Sequence, residues 1–233
     1  MTEDQSKLDK IVASRMRLRS RFEAQMLATP SLADDKPQGT GPINRHGMPE
    51  LPPGQHRTKK WPVLDLGTKP QITRQEWRLQ LDGACLSPRT LTWEDLMALD
   101  QLEDTSDFHC VTTWSKLGIR WRGVRLLDVL ALAEPEEEAS HLFFHASDGY
   151  TTNFAMAEAV KPDVLLVYEA DGAPLERAHG GPVRVITPQL YAWKGAKWVS
   201  RIELLRENRL GFWERSGYSD TAHPWRNDRY SRG

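Results

Sequence analysis

Apolar segments in this chain are short and unevenly spaced, and that limits the folds open to it. The longest, such as Val129–Ala133, run to five residues, whereas a membrane-crossing helix needs about 20. No membrane span is expected. WRLQLDG (77–83) alternates Trp77, Leu79 and Leu81 with polar residues and ends in Asp-Gly, which predicts a strand entering a turn. In LTWEDLMAL, Thr92 stands as N-cap with Asp95 at the third helical position, predicting a short helix. Residues 123–133 read as another helix and HLFFHAS (141–147) as a strand. DGYTTN (148–153) reads as a turn leading to a short helix over 154–160, and VRVIT (183–187) and WVSRIELL (198–205) as strands. Short strands and helices without a regular βαβ period predict an α+β fold with mixed β-sheets, not a doubly wound one.

Residues 1–27 carry Leu8, Ile11, Val12, Met16, Phe22 and Met26 close to one helical face, with a basic face opposite. The expectation is a solvated helix packed on the body. From Pro30 to Lys60 the composition shifts to Pro, Gly, Asp and Lys, as in LPPGQ (51–55), which reads as an irregular segment or a linker. The chain therefore divides into an N-terminal helix and extension, 1–50, and a body, 51–233. The first 21 residues lack an apolar signal core and an Arg-Arg pair, so a cytoplasmic location is expected. With 31 Lys+Arg against 32 Asp+Glu, no overall field recruits nucleic acid. The tail, GFWERSGYSDTAHPWRNDRY, is too rich in aromatics and arginine for simple disorder.

The chain has two cysteines, Cys85 and Cys110. A structural zinc site needs four ligands and usually a Cys-x(2–4)-Cys knuckle. These two are too far apart for one, and His141 with His145 falls on an expected strand, where residues four apart do not chelate readily. A thiol nucleophile would need a base. His109 adjoins Cys110 but points the other way on an extended chain, which leaves His145 or His179 as candidates. Cys85, in DGACLSP, reads as a buried structural thiol.

Downstream, HGGPVRVITPQLYAWKGAKWVSRIEL (179–204) makes a Gly180-Gly181-Pro182 turn before a strand carrying Arg184, then a loop with Lys194, Gly195, Ala196 and Lys197. Glycines that let backbone N–H groups approach, flanked by Arg and Lys, suit a phosphate or pyrophosphate.

Taken together, D-F-H-C-V-T-x-W-S (Asp107 to Ser115), G-Y-T-T-N (Gly149 to Asn153) and H-G-G-P-V-R-x-x-x-P-x-x-Y-x-W-K-x-A-K-W (His179 to Trp198) resemble the sulfite oxidase fold family. The likeness runs from about Pro52 through Tyr230 and is nearest to small bacterial single-domain members related to the catalytic subunit of periplasmic methionine sulfoxide reductase. It implies a molybdopterin cofactor whose two dithiolene sulfurs hold molybdenum, with Cys110 as the protein's thiolate ligand. It also implies cofactor binding by His179, Arg184, Gly195, Ala196 and Lys197, by the Trp61–Gly67 segment, and near Ala146 or Ser147. Tyr150 occupies the place of the active-site tyrosine. A thiolate is a soft ligand suited to such a metal, and one is enough when the cofactor brings the rest.

Where sulfite oxidases follow their cysteine with arginines that help hold the oxyanion, this chain has Val111-Thr112-Thr113-Trp114. The resemblance thus implies a molybdenum oxidoreductase moving an oxygen atom to or from a small substrate, with sulfite itself disfavoured. No haem-attachment C-x-x-C-H is present, so a separate electron-transfer partner is expected. The rival readings are a hydrolase or transferase using Cys110, and a molybdopterin-binding module without turnover.

Overall fold

A computed structural model describes residues 37–231 together with Ser6 and Asp9. The helix expected over 1–27 otherwise lies outside the described residues. The chain forms β1 (Thr40–Ile43), β2 (Pro49–Leu51), β3 (His56–Arg57), β4 (Leu79–Gly83), β5 (Arg89–Leu91), α1 (Trp93–Ala98), β6 (Leu102–His109) and β7 (Trp114–Arg125). It continues through α2 (Leu126–Ala131), β8 (His141–Ala146), β9 (Thr151–Ala155), α3 (Met156–Ala159), β10 (Leu165–Ala170), β11 (Ala173–Pro174), β12 (Arg184–Ile186), β13 (Val199–Leu205) and α4 (Phe212–Arg215).

These strands make a two-stranded ribbon, β1-β2, and two mixed sheets, as expected for an α+β chain. One runs β5-β4-β13-β8-β9, with β13 parallel to β4 and antiparallel to β8. The other runs β11-β10-β7-β3, with β6 on β7 and β12 on β10. The core they share includes Leu79, Leu81, Phe144, Val185, Tyr191 and Ile202, each at most 0% exposed. The helix α1 starts as its sequence directs: Thr92 Oγ1 accepts from Asp95 N–H at 3.2 Å, and the Asp95 carboxylate accepts from Thr92 N–H at 2.8 Å. Such a cap contributes about 1 kcal/mol.

Three expectations are corrected. The helix read over 123–133 is strand as far as Arg125, because Ile119, Trp121 and Gly123 alternate inward with Arg120 and Arg122 outward. Gly123 belongs to that strand for a packing reason: a Cβ there would lie 2.1 Å from the Leu166 carbonyl oxygen of β10. The turn read over 148–153 ends at Tyr150, since Thr151 already pairs with His145 across the β8–β9 hairpin. The stretch from Pro30 to Lys60 is not all irregular. β1 pairs antiparallel with β2, Thr40 opposite Leu51 and Ile43 opposite Pro49, and β3 lies parallel to the start of β7, with His56 opposite Trp114. The tail is ordered on the N-terminal extension, where Gln38 N–H donates to the Trp225 carbonyl at 2.9 Å.

Candidate active site

Cys110 is the first residue after β6, in the turn that joins it to β7. Its N–H donates to the Trp114 carbonyl at 2.9 Å, and Thr113 N–H returns to the Cys110 carbonyl at 3.0 Å, with Thr113 at φ 82°. The turn's outward carbonyls are held from distant parts of the chain. Gln55 Nε2 donates to the Cys110 carbonyl at 2.9 Å, and the fully buried Arg229 donates to the carbonyls of Val111 and Pro53. A backbone fixed on both sides can hold one side chain in a set place. Cys110 is 6% exposed, with the Thr112 hydroxyl 3.1 Å from Sγ.

Cys110 lines a cavity of about 100 Å³. Its wall has apolar, hydroxylic and aromatic members: Val111, Thr112, Trp114, Tyr150, Trp193, Trp213 and Tyr218. Trp213 and Tyr218 stack at 5.0 Å, and Trp193 meets Tyr218 edge-on at 5.0 Å. The Tyr150 hydroxyl donates to the Trp193 carbonyl, so its proton is committed to the wall.

Arg184 and Lys197 line the same cavity. Arg184 opens β12 and is 3% exposed. Its guanidinium donates to the carbonyls of His179 at 3.0 Å, Gly195 at 3.2 Å and Val185 at 3.3 Å. Among the described residues it has no carboxylate partner, and burial alone draws its pKa down to about 10. Lys197 donates to the Ala178 carbonyl at 3.1 Å and lies 3.9 Å from the Asp65 carboxylate. Burial, with Arg184 adding to it, draws the Lys197 amine down to about 8 despite Asp65 and Asp148. Gly180, at φ 105°, brings the two cations together: a Cβ there would sit 2.9 Å from Lys197 Cβ and 3.1 Å from Arg184 Cβ. His179 lies flat on Trp61, ring centres 3.8 Å apart and planes 9° apart. Burial first and the Arg184 charge second lower it to about 4, so its imidazole is neutral at pH 7.

Of the expected site residues, Cys110, Tyr150, His179, Arg184, Gly195 and Lys197 meet in this cavity. Ala196 is fully buried and does not line it; its carbonyl accepts from Val185 N–H at 2.9 Å. Lys194 is turned away into a buried ion pair with Glu214 at 2.7 Å. Neither Ala146 nor Ser147 lines the wall, but Asp148 does. Trp61–Leu66 does line it, and its polar member is Asp65. Sequence reasoning missed Asp65, Asp148, Trp213 and Tyr218. The Asp-Gly turn beside Tyr150 and the aromatic tail were the available signals.

This donor set fits a phosphate-bearing metal cofactor. A buried guanidinium without a protein carboxylate costs several kcal/mol, which a bound anion offsets. Among the described residues no three of His, Cys, Asp and Glu converge on a metal position, so a metal here would take one thiolate from the chain and further donors from its cofactor.

The domain described as "Oxidoreductase molybdopterin binding domain" matches residues 66–213. The chain is 41% identical over 182 residues to "Uncharacterized oxidoreductase YuiH" of Bacillus subtilis, covering 78% of this chain and 92% of that protein. It is 38% identical over 109 residues to the mitochondrial sulfite oxidase of Homo sapiens, covering 42% of this chain but 20% of that enzyme. The sulfane dehydrogenase SoxCD of Paracoccus pantotrophus shares the fold, with a TM-score of 0.57 and 23% identity over 64% of this chain and 42% of that one. The chain belongs to the oxidoreductase molybdopterin-binding domain family: it is a molybdopterin-dependent oxidoreductase with the sulfite oxidase fold.

Proposed function

We propose that this protein reduces small neutral S-oxides or N-oxides at a molybdenum centre anchored by Cys110, and that it draws electrons from a separate redox carrier. Molybdenum bound with molybdopterin supplies two-electron oxygen-atom transfer; the chain's residues bind, orient and exclude. Arg184 and Lys197 hold the cofactor phosphate by charge-assisted hydrogen bonds. The flat Trp61–His179 pair offers an apolar face for the ring system between phosphate and metal. The Thr112 hydroxyl, 3.1 Å from Sγ, donates to the Cys110 thiolate and steadies it as a ligand. Tyr150 fixes the Trp193 backbone, and with it the aromatic wall that meets the substrate.

The observation that carries the substrate class is the charge lining the cavity that holds Cys110. Among the described residues lining the cavity, Arg184 and Lys197 are the cations, and both are given to the cofactor. Arg120 and Arg122 do not restore a dianion site: neither lines the cavity, and Arg122 faces Glu169 at 3.7 Å on the outer side of β7. Arg226 is also outside it. A wall of aromatic rings and hydroxyls solvates a neutral oxide better than sulfite.

The hydrolase reading finds little support. His109 turns to Ser115 Oγ at 2.8 Å, His145 pairs with Glu203 outside the cavity, and His179 is stacked on Trp61. Steady-state kinetics on the molybdenum-loaded enzyme test the proposal. kcat/KM for a small sulfoxide or N-oxide should exceed that for sulfite; the reverse order would overturn it.

A further inference from the structure

Behind Phe108 lies a second, far smaller cavity, of about 10 Å³. Ser106, His109, Trp121 and Thr187 all line it. Each carries a buried polar atom with no hydrogen-bond partner: Ser106 Oγ, His109 Nε2, Trp121 Nε1 and Thr187 Oγ1. Of seven such side-chain atoms among the described residues, four fall on this one cavity. The chain builds the cluster with a bulge. The β6–β7 pairing shifts register between Ser106 and Phe108, so Ser106 and His109, three apart, are both buried instead of facing opposite sides.

Orphaned buried donors and acceptors are costly, and their usual remedy is an ordered water with two to four polar partners. The cavity volume is at the lower bound for one water. It also shares walls with two larger cavities. It shares Ser106, Asp107, His109 and Pro188 with an outer cavity of about 200 Å³, whose rim includes the exposed Arg45 and Thr105. On its other side it shares Phe108, Ala192 and Gly195 with the cavity that holds Cys110.

We propose that these three cavities form a water-bearing passage, with an ordered water bound by Ser106, Trp121 and Thr187, that carries protons between solvent and the cofactor cavity. The need for it rests on the proposed function. Reducing an S-oxide to a sulfide consumes two electrons from the external carrier and two protons, and the oxygen leaves as water. Oxidising sulfite to sulfate runs the balance the other way, taking oxygen from water and releasing two protons and two electrons. The hydroxyls of Ser106 and Thr187 each donate and accept, so with the water they pass a proton without any side chain holding charge.

The test uses holoenzyme labelled at the tryptophan indole nitrogens, with Trp121→Phe identifying the Trp121 signal. The passage predicts magnetisation transfer from water to the Trp121 indole N–H, although the residue is 2% exposed. It also predicts that Thr187→Val lowers kcat severalfold at unchanged KM and enlarges the solvent isotope effect, and that Thr187→Ser restores both. Ser106→Ala provides the same reading if Thr187→Val does not fold. A Trp121 indole with no contact to water, or Thr187→Val with wild-type kcat and isotope effect on whichever of oxide or sulfite is turned over, would overturn the passage. The indole signal needs no substrate, so its presence in an enzyme that turns over only sulfite removes the oxide reading and leaves the passage standing.

Discussion

Arg184 Nη2 donates to the Gly195 carbonyl at 3.2 Å, and this joins the two segments that bring Arg184 and Lys197 to the cavity. The guanidinium comes from β12 and the carbonyl from the loop that leads to Lys197. A phosphate bound there would supply the negative charge that no described carboxylate gives Arg184.

Arg184→Ala removes a buried cation whose hydrogen bonds to an anion are worth about 1.5–3 kcal/mol each. Purified variant protein should carry little molybdopterin, and Lys197→Ala should lose less. Both contents are read by fluorescence of the oxidised pterin. Full occupancy in the double variant would rule out this phosphate site.

Gly180→Ala places a Cβ 2.9 Å from Lys197 Cβ on a residue at φ 105°. Strain of this kind costs on the order of 1–3 kcal/mol. Thermal unfolding should show a lower Tm, and cofactor content should fall with it. Gly118→Ala is the control for strain alone: it also has positive φ, but no atom lies within 4 Å of its Cβ. It should lower Tm less and leave cofactor content unchanged.

Lys197 supplies a pH dependence. Its folded pKa, about 8, lies below the ordinary lysine value of 10.5, so between the two the unfolded chain binds more protons than the folded one. Stability of the cofactor-free protein should therefore rise as pH goes from about 8 towards 10.5, by the Lys197 contribution. Anion affinity should move oppositely, because the amine loses its charge. Titration calorimetry with inorganic pyrophosphate should show weaker binding above pH 8 in the wild type and a flatter profile in Lys197→Ala. A pH-independent wild-type affinity would contradict the assignment.

The parts of the site legible in the sequence are those written locally. His179 through Lys197 is one continuous stretch, and the glycine turn with its flanking cations can be read without knowing the fold. Asp65, Trp213 and Tyr218 reach the cavity from segments far from Cys110 along the chain, and no local pattern links them. Lys194 and Lys197 look equivalent in sequence, but Glu214 on α4 takes the first and leaves the second to the cavity. The strands β6 and β7 escaped notice because their outer faces are charged and the bulge at Asp107 breaks the alternation. Gly123 reads as the start of a helix because the strand that crowds it, β10, arrives from far downstream, Val167 lying opposite it.

Cys85→Ser should change stability modestly and activity little, since Cys85 lies outside the cavity and burial raises its pKa. Cys110→Ser should leave the fold largely intact and abolish turnover, because a hydroxyl is a hard, weakly acidic substitute for a soft thiolate. Equal loss in the two variants, at matched folding and metal content, would remove the distinction between them.

The central claim is that Cys110 is the protein's ligand to molybdenum. X-ray absorption at the molybdenum edge, on protein purified from a host that makes the cofactor, tests it most directly. The wild type and Cys85→Ser should show the same sulfur coordination, and Cys110→Ser should lose one sulfur while the dithiolene pair remains. Unchanged sulfur coordination in a molybdenum-loaded Cys110→Ser protein, or no molybdenum in the wild type, would contradict it.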